Sequence, residues 1–336
     1  MDNLAVKKKT SVIQKTPVWV TAGLICTILW GSAPTGIKLA YTALSVGSSD
    51  IPSMLLFAGI RFSLGGLLTL AYIVFKTKRP PVLVRPLWLK VILLGLMQTT
   101  VHYAFYFVGA ANTSGTNMAI LSSMQSFMLV IIAHFVDPND RLTKKKLVAI
   151  ALGVSGIVLL NMGKTSDGAS LTGDALILLA ALTGTCATFL IRAIVRRTDP
   201  FLLTGWQLLI GGLTLILTGL LFGGTLDFTV AGTLLILYLA LISAVAFSLW
   251  SLLLEYHPIT RVGIFNSLIP VFGTLIAGIF LAEDIFSPQT ILAMVLVSLG
   301  VYIVSSSRAK HAEQPHPEGN GDKTDKGDGG ERTGGA

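Results

Sequence analysis

Apolar residues fall in ten stretches along the chain, at approximately 18–38, 53–75, 87–109, 117–136, 147–162, 175–195, 201–222, 231–254, 262–282 and 290–306. Each approaches the roughly 20 residues a helix needs to cross a hydrocarbon core of about 30 Å. The connections are short and carry breakers such as Lys78-Arg79-Pro80-Pro81, Asp137-Pro138-Asn139-Asp140 and Asp199-Pro200, which end helices where backbone groups regain water. The pattern predicts an all-α membrane protein of ten transmembrane helices, with no room for a soluble domain. A short tail, residues 1–17, precedes them. Residues 308–336 are rich in Gly, Lys, Asp and Glu, with almost nothing to bury, and are expected to form a disordered tail.

Composition agrees with this pattern. Of 336 residues, 52% are hydrophobic and 12% charged, and the mean hydropathy is +0.74; that balance cannot solvate a globular surface. The net charge of +8 comes from short clusters between apolar runs, not from one stripe, so no nucleic-acid partner is implied. With a cytoplasmic N-terminus, Lys7 to Lys9, Lys15, the clusters at 76–90, 141–146 and 192–197, Arg261 and the tail all fall on one side, and Lys164 alone on the other. The positive-inside rule then puts both termini in the cytoplasm of a cell whose plasma membrane the chain spans. The first apolar run is too long for a signal peptide. Cys26 and Cys186 lie inside apolar runs and imply neither a disulfide framework nor a metal site.

The chain also resembles itself. Leu29-Trp30-Gly31-Ser32-Ala33-Pro34-Thr35 aligns with Leu182-Thr183-Gly184-Thr185-Cys186-Ala187-Thr188. The run from Gly59 through Arg61 to Leu67 aligns with that from Gly205 through Gln207 to Leu213, and Asp140-Arg141-Leu142-Thr143 with Asp284-Ile285-Phe286-Ser287. The order is collinear over five spans, and a repeat of odd span number must insert its second copy upside down. With Trp30-Gly31-Ser32 in the first span and Ile60-Arg61-Phe62 in the second, the chain resembles the EamA family of the drug/metabolite transporter superfamily over about 18–306. The resemblance implies two inverted five-helix repeats, 18–162 and 170–306. It also implies export or import of a small organic molecule, such as an amino acid, another metabolite or a drug. The second repeat departs from the family pattern, with Thr183 in place of Trp and Gln207 in place of Arg.

Ionisable groups inside a membrane cost roughly 2.5–3.5 kcal/mol on insertion scales and so mark candidate sites. Lys38, Arg61, His102 and His134 qualify, and no carboxylate lies within an apolar run. Helix rise puts Arg61 about 12 Å below the outer end of its span. Lys38, Arg61 and His102 thus fall in the outer half and could form a vestibule for an anion. They could equally snorkel or cap backbone carbonyls. Amides and aromatics at depth complete the candidate substrate-binding set: Trp30, Arg61, His102, Tyr103, Asn117, Gln125, Gln207, Trp250 and Asn266. The amides are either cavity lining or ties between helices. Pro34 and Pro270 remove backbone donors within spans and are candidate hinges.

No HExxH, Walker A, GxSxG or paired-carboxylate motif is present, so neither an enzyme nor a cofactor is expected. The expected function is secondary transport, as export of a small amino-acid-like or drug-like metabolite by alternating access around a midplane cavity. The other readings are an organophosphate or nucleotide-sugar exchanger, with Lys38 and Arg61 on phosphate, and a non-transporting receptor or scaffold. The expected partners are a small-molecule substrate and membrane lipid; self-association is left open.

Overall fold

The computed structural model describes residues 16–136, 142–161, 168–257, 262, 264–283 and 285–312. The expectations for Asp140, Arg141, Lys164, Arg261, Asp284 and the tail beyond 312 lie outside these residues. Among the described residues there is no strand. The helices are α1 (Thr16–Ala43), α2 (Ile51–Thr77), α3 (Trp88–Leu94), α4 (His102–Ala111), α5 (Gly115–Ser122), α6 (Met124–Val136), α7 (Lys144–Asn161), α8 (Gly168–Ile194), α9 (Pro200–Leu221), α10 (Val230–Tyr256), α11 (Ile269–Leu281) and α12 (Pro288–Ala312).

Local chemistry sets several starts. Asp50 accepts from Ser53 N before α2, Asp199 from Phe201 N and Leu202 N before α9, and Thr229 from Gly232 N before α10. Each side chain satisfies backbone donors that the helix leaves unpaired. Pro52 and Pro200 sit in first turns, where a missing N–H costs nothing.

Seven continuous segments are long and apolar enough to cross a membrane: Pro17–Ala43, Ile51–Thr77, Arg85–Ala111, Gly115–Phe135, Leu171–Ile194, Pro200–Leu221 and Val230–Tyr256; Phe265–Leu281 and Pro288–Ile303 are apolar but shorter. Three spans depart from simple helices. The third holds a π-helical segment, Gly95–Val101, between α3 and α4. The fourth breaks at Ser123 between α5 and α6, and the ninth opens with a 3₁₀ segment, Ile264–Leu268. Pro270 therefore lies in the first turn of α11, not inside a helix: it starts one where it was expected to kink one. Pro34 is inside α1 as expected. The last helix reaches Ala312, so residues 308–312 are helical where a disordered tail was expected; this segment continues the helix without needing apolar residues of its own.

Polarity is inverted relative to a soluble domain. Leu213, Leu217, Leu221, Phe75, Ile279 and Phe280 face outward, while Arg61, Gln98, His102, Asn117 and Gln207 are buried. Lipid satisfies such an exterior but gives helices no hydrophobic reason to associate, so close packing must hold them. Spans α2 and α9 meet through glycines: a Cβ on Gly59 would lie 2.7 Å from Gly212 O, and one on Gly212 would lie 2.9 Å from Gly59 O. Next to these, Gly65 abuts α10 at Ala240 O and Gly211 abuts the third span at Gly95 O.

Candidate functional site

Faces of seven spans converge on a cavity of about 160 Å³, close to the roughly 150 Å³ of a protein cavity that holds benzene. Helix periodicity decides which residues reach it. Trp30, Ala33 and Pro34 line it from α1, and Phe247, Trp250 and Ser251 from α10, both at i, i+3, i+4. Across the break in the fourth span, Ser122, Gln125 and Ser126 repeat that spacing, and His102, Tyr103 and Tyr106 contribute from α4. Asn266 and Ile269 enter at the junction that opens α11. Broken helices are tolerated at membrane depth where they line such a space.

Among the described residues Arg61 is the one Lys or Arg in this lining. Its side chain is 2% exposed. Nε donates to Leu239 O and to Ser243 Oγ, both at 3.2 Å, while Nη1 is enclosed without a hydrogen-bond partner. The guanidinium carbon lies 4.8 Å from the Phe62 ring centroid and 5.6 Å from that of Phe107, so two aromatic faces soften the burial of the charge. Its electrostatic neighbours are the hydroxyls of Tyr103, Tyr106, Tyr41 and Tyr238. Among the described residues no carboxylate lines the cavity.

His102 Nδ1 lies 2.6 Å from Ala180 O. A carbonyl only accepts, so Nδ1 carries a proton and ties α4 to α8. Trp30 and Trp250 form one wall, ring centroids 4.9 Å apart at 62°, with Phe247 edge-on to Trp30 at 5.7 Å. Asn266 Nδ2 is 3.5 Å from Ser126 Oγ, so the amide joins the two broken spans across the cavity.

The structure thus brings together seven of the nine candidates: Trp30, Arg61, His102, Tyr103, Gln125, Trp250 and Asn266. Asn117 is elsewhere. Its Nδ2 donates to both Asp174 oxygens, at 3.4 and 3.3 Å, and Thr113 Oγ1 donates to the same carboxylate. Gln207 is buried against the third span, where a Cβ on Gly95 would lie 3.0 Å from Gln207 O. Neither lines this cavity: Asn117 Nδ2 is spent on Asp174, and Gln207 Oε1 is buried without a hydrogen-bond partner.

Carboxylates overturn a second expectation. Asp174, 6% exposed, lies inside α8. Glu283 accepts from Gly115 N at 2.8 Å, Thr116 N at 2.9 Å and Thr116 Oγ1 at 2.6 Å, capping α5. Lys38 does not join Arg61 in an anion vestibule: it lines a separate depression with Tyr41 and Glu283. Between that depression and the cavity lies an aromatic layer of Tyr41, Phe57, Phe62 and Phe107, in which Tyr41 Oη donates to Phe107 O at 2.8 Å. On its other side the cavity extends past Thr188, Ile191 and Ser251 toward the C-terminal ends of α8 and α10.

Residues that the sequence left unselected include Gln98, Tyr106, Ser126 and Phe247. Their spacing was the available signal: Gln98 and Tyr106 lie four residues either side of His102, Ser126 four after Ser122, and Phe247 three before Trp250.

Known proteins share this architecture and sequence. The profile of the EamA-like transporter family matches residues 17–162 and again 171–306. A probable amino-acid metabolite efflux pump of Salmonella typhimurium is 30% identical over 297 residues, covering 83% of this chain and 92% of that protein. Its counterpart of the same description in Escherichia coli is 28% identical over 297 residues, with coverage of 83% and 92%. The WAT1-related chloroplastic protein At3g02690 of Arabidopsis thaliana is 25% identical over 288 residues, 82% of this chain but 66% of that longer protein. One solved crystal structure superposes with a TM-score of 0.65 at 18% identity, covering 88% of this chain and 99% of its own, which speaks to the fold alone. With the family profile matched over most of its length, this multi-pass membrane protein belongs to the EamA-like transporter family.

Proposed function

We propose that the chain is a secondary transporter of the plasma membrane that exports a small organic metabolite by alternating access. The observation that carries this reading is the cavity itself. Buried polar and aromatic side chains surround a ligand-sized space, and such groups are costly at membrane depth unless they serve a passenger. The description of the bacterial relatives as metabolite efflux pumps agrees with export.

In this reading ten spans form two inverted repeats, 18–162 and 170–306, and α7, α11 and α12 complete the seven longer crossings. Two observations support the inversion. The family profile matches twice, and the glycine contacts are reciprocal. By the sequence alignment Gly59 corresponds to Gly205, and Gly66 to Gly212; in space Gly59 meets Gly212 and Gly66 meets Gly205, as a twofold relation requires. The third span with α9, and α10 with α2, form a matching exchange.

Lysine and arginine distribution supports cytoplasmic termini, and in that orientation the cavity extends toward the cytoplasmic side. The outer side is closed by the aromatic layer and by Glu283 and Asp174, which grip residues 113–117. Release outward then requires that grip to open while α8 and α10 close below. Lys38 lies outside the cavity, which deprives a phosphate exchanger of its second cation.

The test is flux. Full-length protein in proteoliposomes is offered labelled phenylalanine, leucine, 3-phenylpropionate and phenethylamine, with protein-free vesicles as background. At least one probe should move above background, and Ser122→Trp, which fills the cavity, should abolish that movement. No flux of any probe, or flux unaffected by Ser122→Trp, would contradict the proposal.

A further inference from the structure

We infer that the cavity selects a net-anionic aromatic carboxylate over the corresponding zwitterionic amino acid. This rests on the reading of the cavity as the transport site. Its formal charge inventory is one-sided. Arg61 is buried, spends only Nε on protein partners, and keeps Nη1 unbonded. Arg61 lines the cavity, and its Nη1 is buried without a partner, a cost that a shift of the side chain toward a ligand carboxylate would relieve through a charge-assisted bond.

The complementary half of an amino-acid site is absent. Among the described residues no Asp or Glu lines the space. Asp174 and Glu283 are engaged with Asn117, Thr113, Gly115 and Thr116, none of which lines the cavity. His102 directs its Nδ1 proton at Ala180 O and brings no negative charge. An ammonium entering would lose its water, find only neutral acceptors such as Gln125 and Ser126, and share a low-dielectric space with Arg61. A lone carboxylate also loses its water, but it faces the opposite charge of Arg61.

The rest of the lining fits a flat apolar group. Trp30, Phe247 and Trp250 contact one another edge to face, leaving indole and phenyl surface as one side of the cavity. Aromatic ligands take such offset or edge-on contacts readily. The volume of about 160 Å³ suits one ring and a short acid chain.

Three probes separate the alternatives because they share a ring and nearly a length: 3-phenylpropionate, phenylalanine and phenethylamine. Binding to the purified full-length protein is followed by ligand-dependent melting. The expected result is that 3-phenylpropionate binds at least about tenfold more tightly than phenylalanine and more tightly still than phenethylamine, the order expected when one charge-assisted bond is unopposed. Arg61→Gln should remove that preference, and Arg61→Lys should restore it in part. The inference is overturned if phenylalanine or phenethylamine binds as well as the acid, if none of the three binds, or if the preference survives in Arg61→Gln. The ranking on the unmodified protein needs no variant, so a folding failure of Arg61→Gln leaves the inference open to refutation. Leucine or phenylalanine flux that Ser122→Trp blocks, without a preference for the acid, would leave the transporter reading standing and remove this one.

Discussion

Gly66 on α2 and Gly205 on α9 meet backbone to backbone: a Cβ on Gly66 would lie 2.8 Å from Gly205 O and 2.7 Å from Leu209 N. Both obstructions are main-chain atoms, which no rotamer change relieves. The pair joins α2 to α9, so the contact binds together the two stretches that the family profile matches.

Gly66→Ala should accordingly lower stability by about 1–3 kcal/mol, the usual range for overpacking a tight contact. Gly47→Ala, where a Cβ meets nothing within 4 Å, is the control. Melting of purified protein in detergent measures both; equal effects would show that the glycine contact does not govern packing.

Much of this was legible in the sequence, for identifiable reasons. Span positions follow from apolar run length, and Arg61, His102 and Trp250 were selected because polar or bulky groups at depth are conspicuous. The breaks at Ser123 and at 264–268 were not legible, since a Ser or Asn within an apolar run resembles any other until the backbone is seen to leave helix. Asp174 and Glu283 sat at run edges and were read as loop residues. Their roles depend on the 113–117 segment, 57 or more residues away in sequence. Asn117 and Gln207 stand out by residue type alone, which does not tell which face of the helix they occupy, and neither lines the cavity.

Glu283 satisfies two N–H groups at the start of α5. Glu283→Ala should cost about 0.5–2 kcal/mol, as loss of a helix cap does. Because that cap holds the first turn of α5, the variant should increase hydrogen exchange at Gly115 and Thr116 more than at Ser122. Uniform protection along α5 would refute the capping role.

Trp250 supplies half of the aromatic wall. Trp250→Ala should weaken 3-phenylpropionate binding by about 0.5–1.5 kcal/mol from the lost aromatic contact, whereas Trp206→Ala, which loses a bond to Pro81 O outside the cavity, should affect stability without changing affinity. Isothermal titration on each variant distinguishes the two.

Topology has its own check. Reporter domains fused after Lys164 and after Ala336 should report opposite sides of the membrane if five spans separate them and both termini are cytoplasmic. The same side for both would remove the ten-span arrangement.

The central claim is that this one cavity opens alternately to both sides, and cysteine accessibility at Ser122 tests it most directly. In a chain with Cys26 and Cys186 replaced by Ala, Ser122→Cys in oriented proteoliposomes is exposed to a membrane-impermeant thiol reagent from one face, then from the other. Labelling from both faces, slowed from each by a probe that binds, is the expected result. Labelling from the cytoplasmic face alone, during conditions in which the vesicles carry out flux, would contradict the claim and put the transport path elsewhere.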